Sequence, residues 1–161
     1  MKIIKLLFLK YKKYELFFII SFLIVFSSIL VWPLLRNGLP PTHDGEYHVV
    51  RAYQFDKTLR DGDLYPRWLP DLNYGYGTPL LNYYYPLPYY AMSFLHFFGT
   101  SFINSFKISI FIATIIGAVF FFLWARIFWG NTGGFISSLF YTFSPYHIVE
   151  MYIRGAVGQR L

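Results

Sequence analysis

The sequence predicts an all-α, polytopic helical membrane protein with about three transmembrane helices and an extracytoplasmic loop that carries juxtamembrane amphipathic helices. Two apolar runs, residues 16–35 and 108–125, contain no charged residue. A helix rises about 1.5 Å per residue, so each run is long enough to cross a hydrocarbon layer of roughly 30 Å. Of the 161 residues, 56% are hydrophobic and 14% are charged, a composition that excludes an ordinary soluble domain.

The first predicted span, residues 16–35, follows a lysine-rich segment, residues 1–15. Five of the fourteen basic residues are lysines of this segment, which predicts a cell-membrane protein with a cytoplasmic N-terminus. With so much of the charge there, the net charge of +6 does not predict nucleic-acid binding. A cleaved signal peptide is the alternative. The run exceeds the usual apolar region of about 7–15 residues and closes on Trp-Pro-Leu-Leu, so a retained anchor is favoured.

Residues 36–107 form the outer loop in this orientation. Its part 83–99 holds five tyrosines and two prolines, which suit a helix lying at the membrane surface better than a span. A true span is the alternative, and it would move everything after it to the other side. In the favoured arrangement 108–125 runs inward and 133–149 returns outward, which leaves 150–161 on the outer face.

The third predicted span, residues 133–149, contains several polar residues, which we expect to face other helices rather than lipid. The chain stops shortly after it without a polar tail. This predicts the N-terminal part of a larger protein, with further membrane helices as partners, although a short natural chain is the alternative.

The first half of the outer loop contains the densest group of ionisable residues. Pro40 and Pro41 interrupt the first helix, and Thr42 or Asp44 can cap a second, amphipathic helix that ends near Gly62. Spacings of four and seven residues place His48 and Arg51 on the same face as Asp44. Glu46 lies beside this face. The four side chains predict a site at the membrane surface, whereas a capping role for Asp44 is the alternative.

Asp44 and Glu46 are the candidate catalytic residues, and the same two carboxylates are the candidate ligands of a divalent cation such as Mg²⁺ or Mn²⁺. Zinc is a weaker idea, because no further histidine or cysteine of this loop stands at ligand spacing. The candidate substrate-binding residues are His48, Arg51, Arg67, Glu150 and Arg154. The arginines suit phosphate, or else pair with neighbouring acids and lipid headgroups. Glu150 and Arg154, four residues apart, either pair with each other or serve the site.

Several motifs in this order and spacing resemble a family of bacterial multi-spanning membrane proteins. They are His-Asp-Gly-Glu-Tyr-His (43–48), Gly-Asp-Leu-Tyr-Pro-Arg-Trp (62–68), Gly-Tyr-Gly (75–77), Asn-Tyr-Tyr-Tyr-Pro-Leu-Pro-Tyr-Tyr (82–90), Ser-Pro-Tyr (144–146) and Tyr-Ile-Arg-Gly-Ala (152–156). That family is labelled 6-pyruvoyl-tetrahydropterin synthase-related, and its layout is similar to the GT-C glycosyltransferases. A pterin synthase needs a zinc-binding histidine cluster, which this chain does not supply.

The GT-C resemblance implies that Asp44 matches the aspartate which that family uses near its acceptor or metal. It also implies that the segment after Tyr146 corresponds to a second acidic motif, for which this chain offers Glu150 and then Gln159. The expected activity is inverting transfer of a sugar from a polyprenyl-phosphate donor at the outer face of the lipid bilayer. The competing hypothesis is a non-catalytic membrane subunit for transport or cell-envelope assembly.

Overall fold

The computed structural model describes the backbone of residues 2–156 and the side chains of residues 14–156. In chain order it has α1 (Lys2–Val31), a 3₁₀ turn (Trp32–Leu35), α2 (Gly45–Arg60), a 3₁₀ turn (Leu80–Asn82), α3 (Leu87–Phe97), α4 (Phe102–Thr142), α5 (Pro145–Val149) and a π-helical turn (Glu150–Arg154), called the π-turn below. The predicted all-α class is confirmed.

Two helical segments of the described chain are long and apolar enough to cross a membrane. They are Tyr14–Leu35 and Phe102–Arg154, each with a mean hydropathy of 2.5. The first contains the predicted span 16–35, and the second contains both 108–125 and 133–149. Helix α3 has 11 residues and therefore measures about 16 Å, too short to cross the hydrocarbon layer. Its length favours the juxtamembrane interpretation of residues 83–99.

One compact unit consists of the residues up to Pro33 together with Thr114–His147. Within it, α4 bends back on itself at Gly130, whose φ of 67° and ψ of −175° are not helical. The bend lies between the predicted spans 108–125 and 133–149. A side-chain hydroxyl joins the two arms, since Ser138 Oγ donates to the carbonyl oxygen of Ala118 over 2.7 Å.

A row of small residues lets these two arms approach closely. Gly134, Ser138 and Thr142 recur every four residues and are all buried. A β-carbon on Gly134 would lie 2.8 Å from the backbone nitrogen of Arg126, so the backbones nearly touch there. Small residues in this spacing are typical of close helix packing inside membranes.

The predicted span 133–149 is not one continuous helix. The second arm of α4 ends at Thr142, and a new helix, α5, begins at Pro145. Proline disfavours the helical conformation in the residue before it, while its own fixed φ suits the first position of a helix. The Ser144-Pro145 pair therefore divides the segment.

The second compact unit consists of Leu34–Ala113 and the residues from Ile148 onward. Its centre is the packing of α2 against α3, where the ring of Phe55 meets Tyr90 edge to face at 4.7 Å. Helix α2 begins and ends near the predicted residues. Asp44 occupies the N-cap position and Asp61 the C-cap, and Gly62 follows with a φ of 104°. The largest fully buried side chains of this unit are Tyr89, Phe55, Phe106, Leu69, Met92, Ile110, Met151 and Glu150.

Candidate functional site

The turn that precedes α2 is attached to the π-turn by two backbone hydrogen bonds. The N–H of His43 donates to the carbonyl oxygen of Ile153 over 2.9 Å, and the N–H of Asp44 donates to that of Arg154 over 2.8 Å. These bonds satisfy donors at the start of a helix, which have no partner within the helix itself. They bring the turn that holds Asp44 next to the π-turn that holds Glu150, although the two segments are far apart in the sequence.

Gly155 makes this close approach sterically feasible. It ends the π-turn in the left-handed conformation, with a φ of 69°. A β-carbon at this position would collide with the side chain of Thr42 and would lie 3.2 Å from the backbone nitrogen of Gly45. Only glycine combines this backbone conformation with the space that is available.

Asp44 stands at the N-cap position of α2, but its side chain makes no capping hydrogen bond. The carboxylate is exposed, and so is that of Glu46 in the first turn of the helix. Helix N-termini carry a partial positive charge, which favours carboxylates at both positions. Because the capping alternative requires the side chain to bond the backbone, the geometry leaves the Asp44 carboxylate available for a ligand.

Glu150 is the acidic residue of the π-turn, and 3% of its side chain is exposed. Its Oε1 accepts a hydrogen bond of 2.7 Å from Nη1 of Arg154, whose own side chain is 53% exposed. The Oε2 atom of Glu150 is buried and has no hydrogen-bond partner within the described part of the chain. The predicted pairing of these two residues is therefore present, and it joins a buried carboxylate to a solvent-facing guanidinium.

The spacing predicted that His48 faces the surface on the same side of the helix as Asp44, and the structure corrects this. Its side chain is buried, its ring lies against Phe106, and its Nδ1 shares a hydrogen bond of 3.1 Å with the hydroxyl of Tyr89. Burial, and secondarily the charge of Arg51, lower the pKa of His48 from 6.5 to about 4, although Asp44 acts in the opposite direction. His48 is therefore neutral, and it packs α2 against Phe106 and Tyr89.

Arg51 lies at the edge of the same group and is half-buried among tyrosines. Its guanidinium carbon is 4.8 Å from the ring centre of Tyr84 and 5.8 Å from that of Tyr47. Burial raises the pKa of Tyr89 to about 12, and the nearby charge of Arg51 acts in the opposite direction. These contacts fix the direction of the guanidinium, and no carboxylate among the side chains of residues 14–156 forms an ion pair with it.

Arg67 stands apart from this group of residues. It is exposed, and its guanidinium carbon lies 5.0 Å from the ring centre of Tyr65. The neighbouring bend at residues 73–79 carries two exposed tyrosines. Tyr74 is 100% exposed and Tyr76 is 82% exposed, because left-handed backbone at Asn73 and Tyr74 turns the loop outward.

Among the side chains of residues 14–156, no group of three or more His, Asp and Glu residues is arranged to hold a metal ion. The histidines are dispersed: His96 stacks on Phe102 at 3.9 Å, and His147 meets the edge of Tyr141. These residues do not fit a zinc centre. Asp44 and Glu46 offer two carboxylates, the number that often suffices for Mg²⁺ when phosphate and water supply its remaining ligands. Gln159 lies outside the described residues.

Three functional or supporting residues escaped the sequence analysis. Tyr89 and Gly155 carry no local signal, since their roles depend on distant partners. Lys107 directly precedes the predicted span 108–125, yet it is buried, and its Nζ donates to the carbonyl oxygens of Arg36 and Gly38 over 2.9 and 3.2 Å. The single hint was a lysine beside an apolar run.

Comparison with known proteins places this architecture in a family. Residues 81–161 match the model of the 6-pyruvoyl-tetrahydropterin synthase related domain, which is described as a membrane protein. The chain belongs to this family. The match covers α3, α4, α5 and the π-turn, and it supports the assignment of the two apolar segments to a membrane protein. The resemblance to GT-C enzymes is not part of that match.

The chain is also similar to an uncharacterized protein of Lactococcus lactis subsp. cremoris (strain MG1363). The two are 26% identical over 157 residues, which are 94% of this chain and 25% of the relative. The chain thus spans about a quarter of the length of the curated relative it matches. No solved structure matches it.

Proposed function

We propose that this chain forms part of a GT-C-like glycosyltransferase that transfers a sugar from a polyprenyl-phosphate donor at the outer face of the cell membrane. The observation that carries the proposal is the pair of hydrogen bonds between the Asp44 turn and the π-turn. They hold an exposed, uncapped carboxylate beside a segment that ends in a solvent-facing arginine, and a transfer from a lipid phosphate requires both chemical groups.

The membrane arrangement is part of the same proposal. The lysines of residues 1–15 keep the N-terminus in the cytoplasm, and Tyr14–Leu35 crosses the bilayer. The first arm of α4 then crosses inward, and the second arm returns outward together with α5, giving three passes and a multi-pass protein. In this arrangement Asp44 and Arg154 lie at the outer surface, where a lipid-linked donor presents its head group.

In the proposed reaction, the carboxylate of Asp44 takes the proton of an acceptor hydroxyl, and the oxygen of that hydroxyl attacks the anomeric carbon. The bond between that carbon and the phosphate oxygen breaks, and the electron pair leaves with the polyprenyl phosphate. Attack opposite the leaving group inverts the anomeric centre. Arg154 or Arg51 offsets the charge on the departing phosphate, which is the largest charge that develops in the step.

A divalent cation is an optional component of this scheme. Asp44 and Glu46 are the residues that would hold Mg²⁺ or Mn²⁺, together with phosphate oxygens of the donor. Bound there, the ion would neutralise charge on the leaving phosphate.

The test is transfer of labelled sugar from polyprenyl-phosphate donors in membranes that contain the complete protein. Asp44→Asn keeps the shape of the side chain but cannot accept the proton, so we expect transfer to fall roughly 10²–10⁴-fold while donor binding persists. Asp63→Asn is the control and should retain activity, because Asp63 follows the C-terminal end of α2, whereas Asp44 stands at its N-terminal end. Equal transfer by wild type and Asp44→Asn would leave the non-catalytic transport or assembly role as the better interpretation.

A further inference from the structure

A cleft of about 660 Å³ opens beside the first two turns of α2. Glu46, Tyr47 and Arg51 line it from the helix, while Asn73 and Thr78 line it from the facing loop, with aliphatic side chains between them. Clefts of this volume are typical of small-molecule sites in proteins, which combine an apolar lining with a few placed polar groups. The volume is sufficient for one or two sugar rings.

The loop wall of this cleft is attached firmly to α2. Gln54 and Asp71 bond each other twice: Nε2 of Gln54 donates to Oδ2 of Asp71 over 3.1 Å, and the N–H of Asp71 donates to Oε1 of Gln54 over 3.2 Å. Lys57 adds an ion pair to the same carboxylate at 2.5 Å. A wall held in this way keeps the cleft open without a ligand, which lowers the entropic cost of binding.

The conformation of the loop itself is unusual. Asn73 and Tyr74 have φ values of 56° and 59°. Residues other than glycine seldom adopt this left-handed backbone conformation. Backbone bonds between Leu69 and Thr78 close the loop, and Trp68 packs so tightly on Gly77 that no β-carbon would fit there. Local strain of this kind collects at ligand sites, where the surrounding structure maintains it.

The chemistry of the lining favours a neutral, hydroxyl-rich ligand. Glu46 and Arg51 bring one negative and one positive charge, so the cleft has no excess charge for an anion. Without a bound cation, the Glu46 carboxylate would repel a phosphate. A carboxylate, a guanidinium, an amide and a hydroxyl together supply acceptors and donors for several hydroxyl groups. Tyr47, which is 61% exposed, adds an aromatic surface on which the apolar face of a sugar ring can lie.

We infer that the cleft formed by α2 and residues 72–80 binds a neutral carbohydrate, and that this carbohydrate is the acceptor of the sugar transfer. The second half of this statement rests on the proposed function. Asp44, the proposed base, stands two residues before Glu46 at the start of α2, so an acceptor held in the cleft has a hydroxyl close to it. A donor would bring its phosphate against Glu46. Because Arg51 binds the acceptor in this arrangement, Arg154 is the arginine that binds the donor phosphate.

Saturation-transfer NMR tests the cleft without any turnover. The complete protein in lipid nanodiscs is mixed with methyl glucoside, methyl galactoside or N-acetylglucosamine, and inorganic phosphate serves as the anionic comparison. We expect at least one neutral sugar to receive saturation. Asn73→Gly removes the amide yet keeps the left-handed backbone, and Tyr47→Leu removes the ring. Each substitution should raise the Kd of the sugar about tenfold, which is the effect of losing one good contact.

Asn82→Gly and Tyr83→Leu are the matched controls, since both residues are exposed and neither lines the cleft. The controls should bind as wild type does. The inference is overturned if none of the three sugars receives saturation, if the cleft variants bind as well as the controls, or if phosphate displaces the sugar. Sugar binding without transfer activity would overturn the proposed function but support the carbohydrate site in the cleft. Transfer activity without sugar binding would support the proposed function but overturn the carbohydrate site.

Discussion

The backbone N–H of Asp44 donates a 2.8 Å hydrogen bond to the carbonyl oxygen of Arg154. This bond fixes the first turn of α2 on the π-turn, and with it the candidate base on a segment that holds a buried acid and an exposed arginine. A π-helical turn is uncommon and is found frequently at functional sites. The consequences of this arrangement can be tested separately from the chemistry.

Gly155→Ala should destabilise this contact. The new β-carbon would collide with Thr42, and the left-handed backbone would add strain of roughly 1–2 kcal/mol. Gly38→Ala is the matched control, because Gly38 also has a positive φ, of 87°, but has open space around it. We expect a larger drop in the thermal unfolding midpoint for Gly155→Ala, together with loss of transfer. Equal drops would mean that the contact with Thr42 contributes nothing beyond backbone strain.

Arg154→Met should be strongly destabilising, because it leaves the buried carboxylate of Glu150 without its partner. Breaking a buried pair in this way typically costs about 3–5 kcal/mol, and the exposure of Arg154 places the expected value at the low end. Adding Glu150→Gln removes the charge and should restore most of the stability in detergent unfolding experiments. If Arg154 also serves the donor phosphate, the double variant will be stable but deficient in donor binding. Restored donor binding would limit Arg154 to a structural role.

Lys107→Met should lower stability by about 1–3 kcal/mol, because two backbone carbonyl groups, those of Arg36 and Gly38, lose their donor. Lys57→Met removes an exposed ion pair with Asp71 instead, and its effect should be smaller because water screens such pairs. Chemical unfolding of the two variants under the same conditions compares the two costs. A smaller effect at Lys107 than at Lys57 would contradict the anchoring role.

His48 should make stability depend on pH. Its pKa in the folded protein, about 4, lies below its ordinary value of 6.5, so the unfolded chain binds the extra proton between these two values. The stabilisation is complete above pH 6.5 and is lost as the pH falls towards 4, by roughly 3 kcal/mol in total. His48→Gln should flatten this decline of the unfolding midpoint. His43→Gln is the control, because it changes an exposed histidine in the turn before α2 and should not flatten the decline. A flattened profile for His43→Gln would reject the assignment of the pH dependence to His48.

Topology can be tested with introduced cysteines, since the chain has none of its own. Asp61→Cys and Asn104→Cys should react with an impermeant thiol reagent on intact cells, because both positions are exposed in the proposed outer loop. Asn131→Cys, next to the bend of α4, should react only after the cells are opened. Labelling of Asn131→Cys but not of Asn104→Cys on intact cells would mean that residues 83–99 cross the membrane.

The sequence by itself determined the local features of this protein. Two apolar runs specified helices of membrane length, and Pro41 and Gly62 marked the limits of α2, because proline and glycine restrict or release the backbone wherever they stand. The four-residue spacing of Glu150 and Arg154 was enough to predict their pairing. Each of these depends on neighbours within a few positions of the chain.

Only the tertiary structure decided which of these features meet. The burial of His48 under Tyr89, the anchoring of Lys107 on the carbonyls after the first apolar run, and the fit of Gly155 against Thr42 all join residues far apart in sequence. Helical periodicity reports which face of a helix is apolar, but it does not report what covers that face. The candidate site was therefore predicted as residue types, and its geometry came from packing between distant segments.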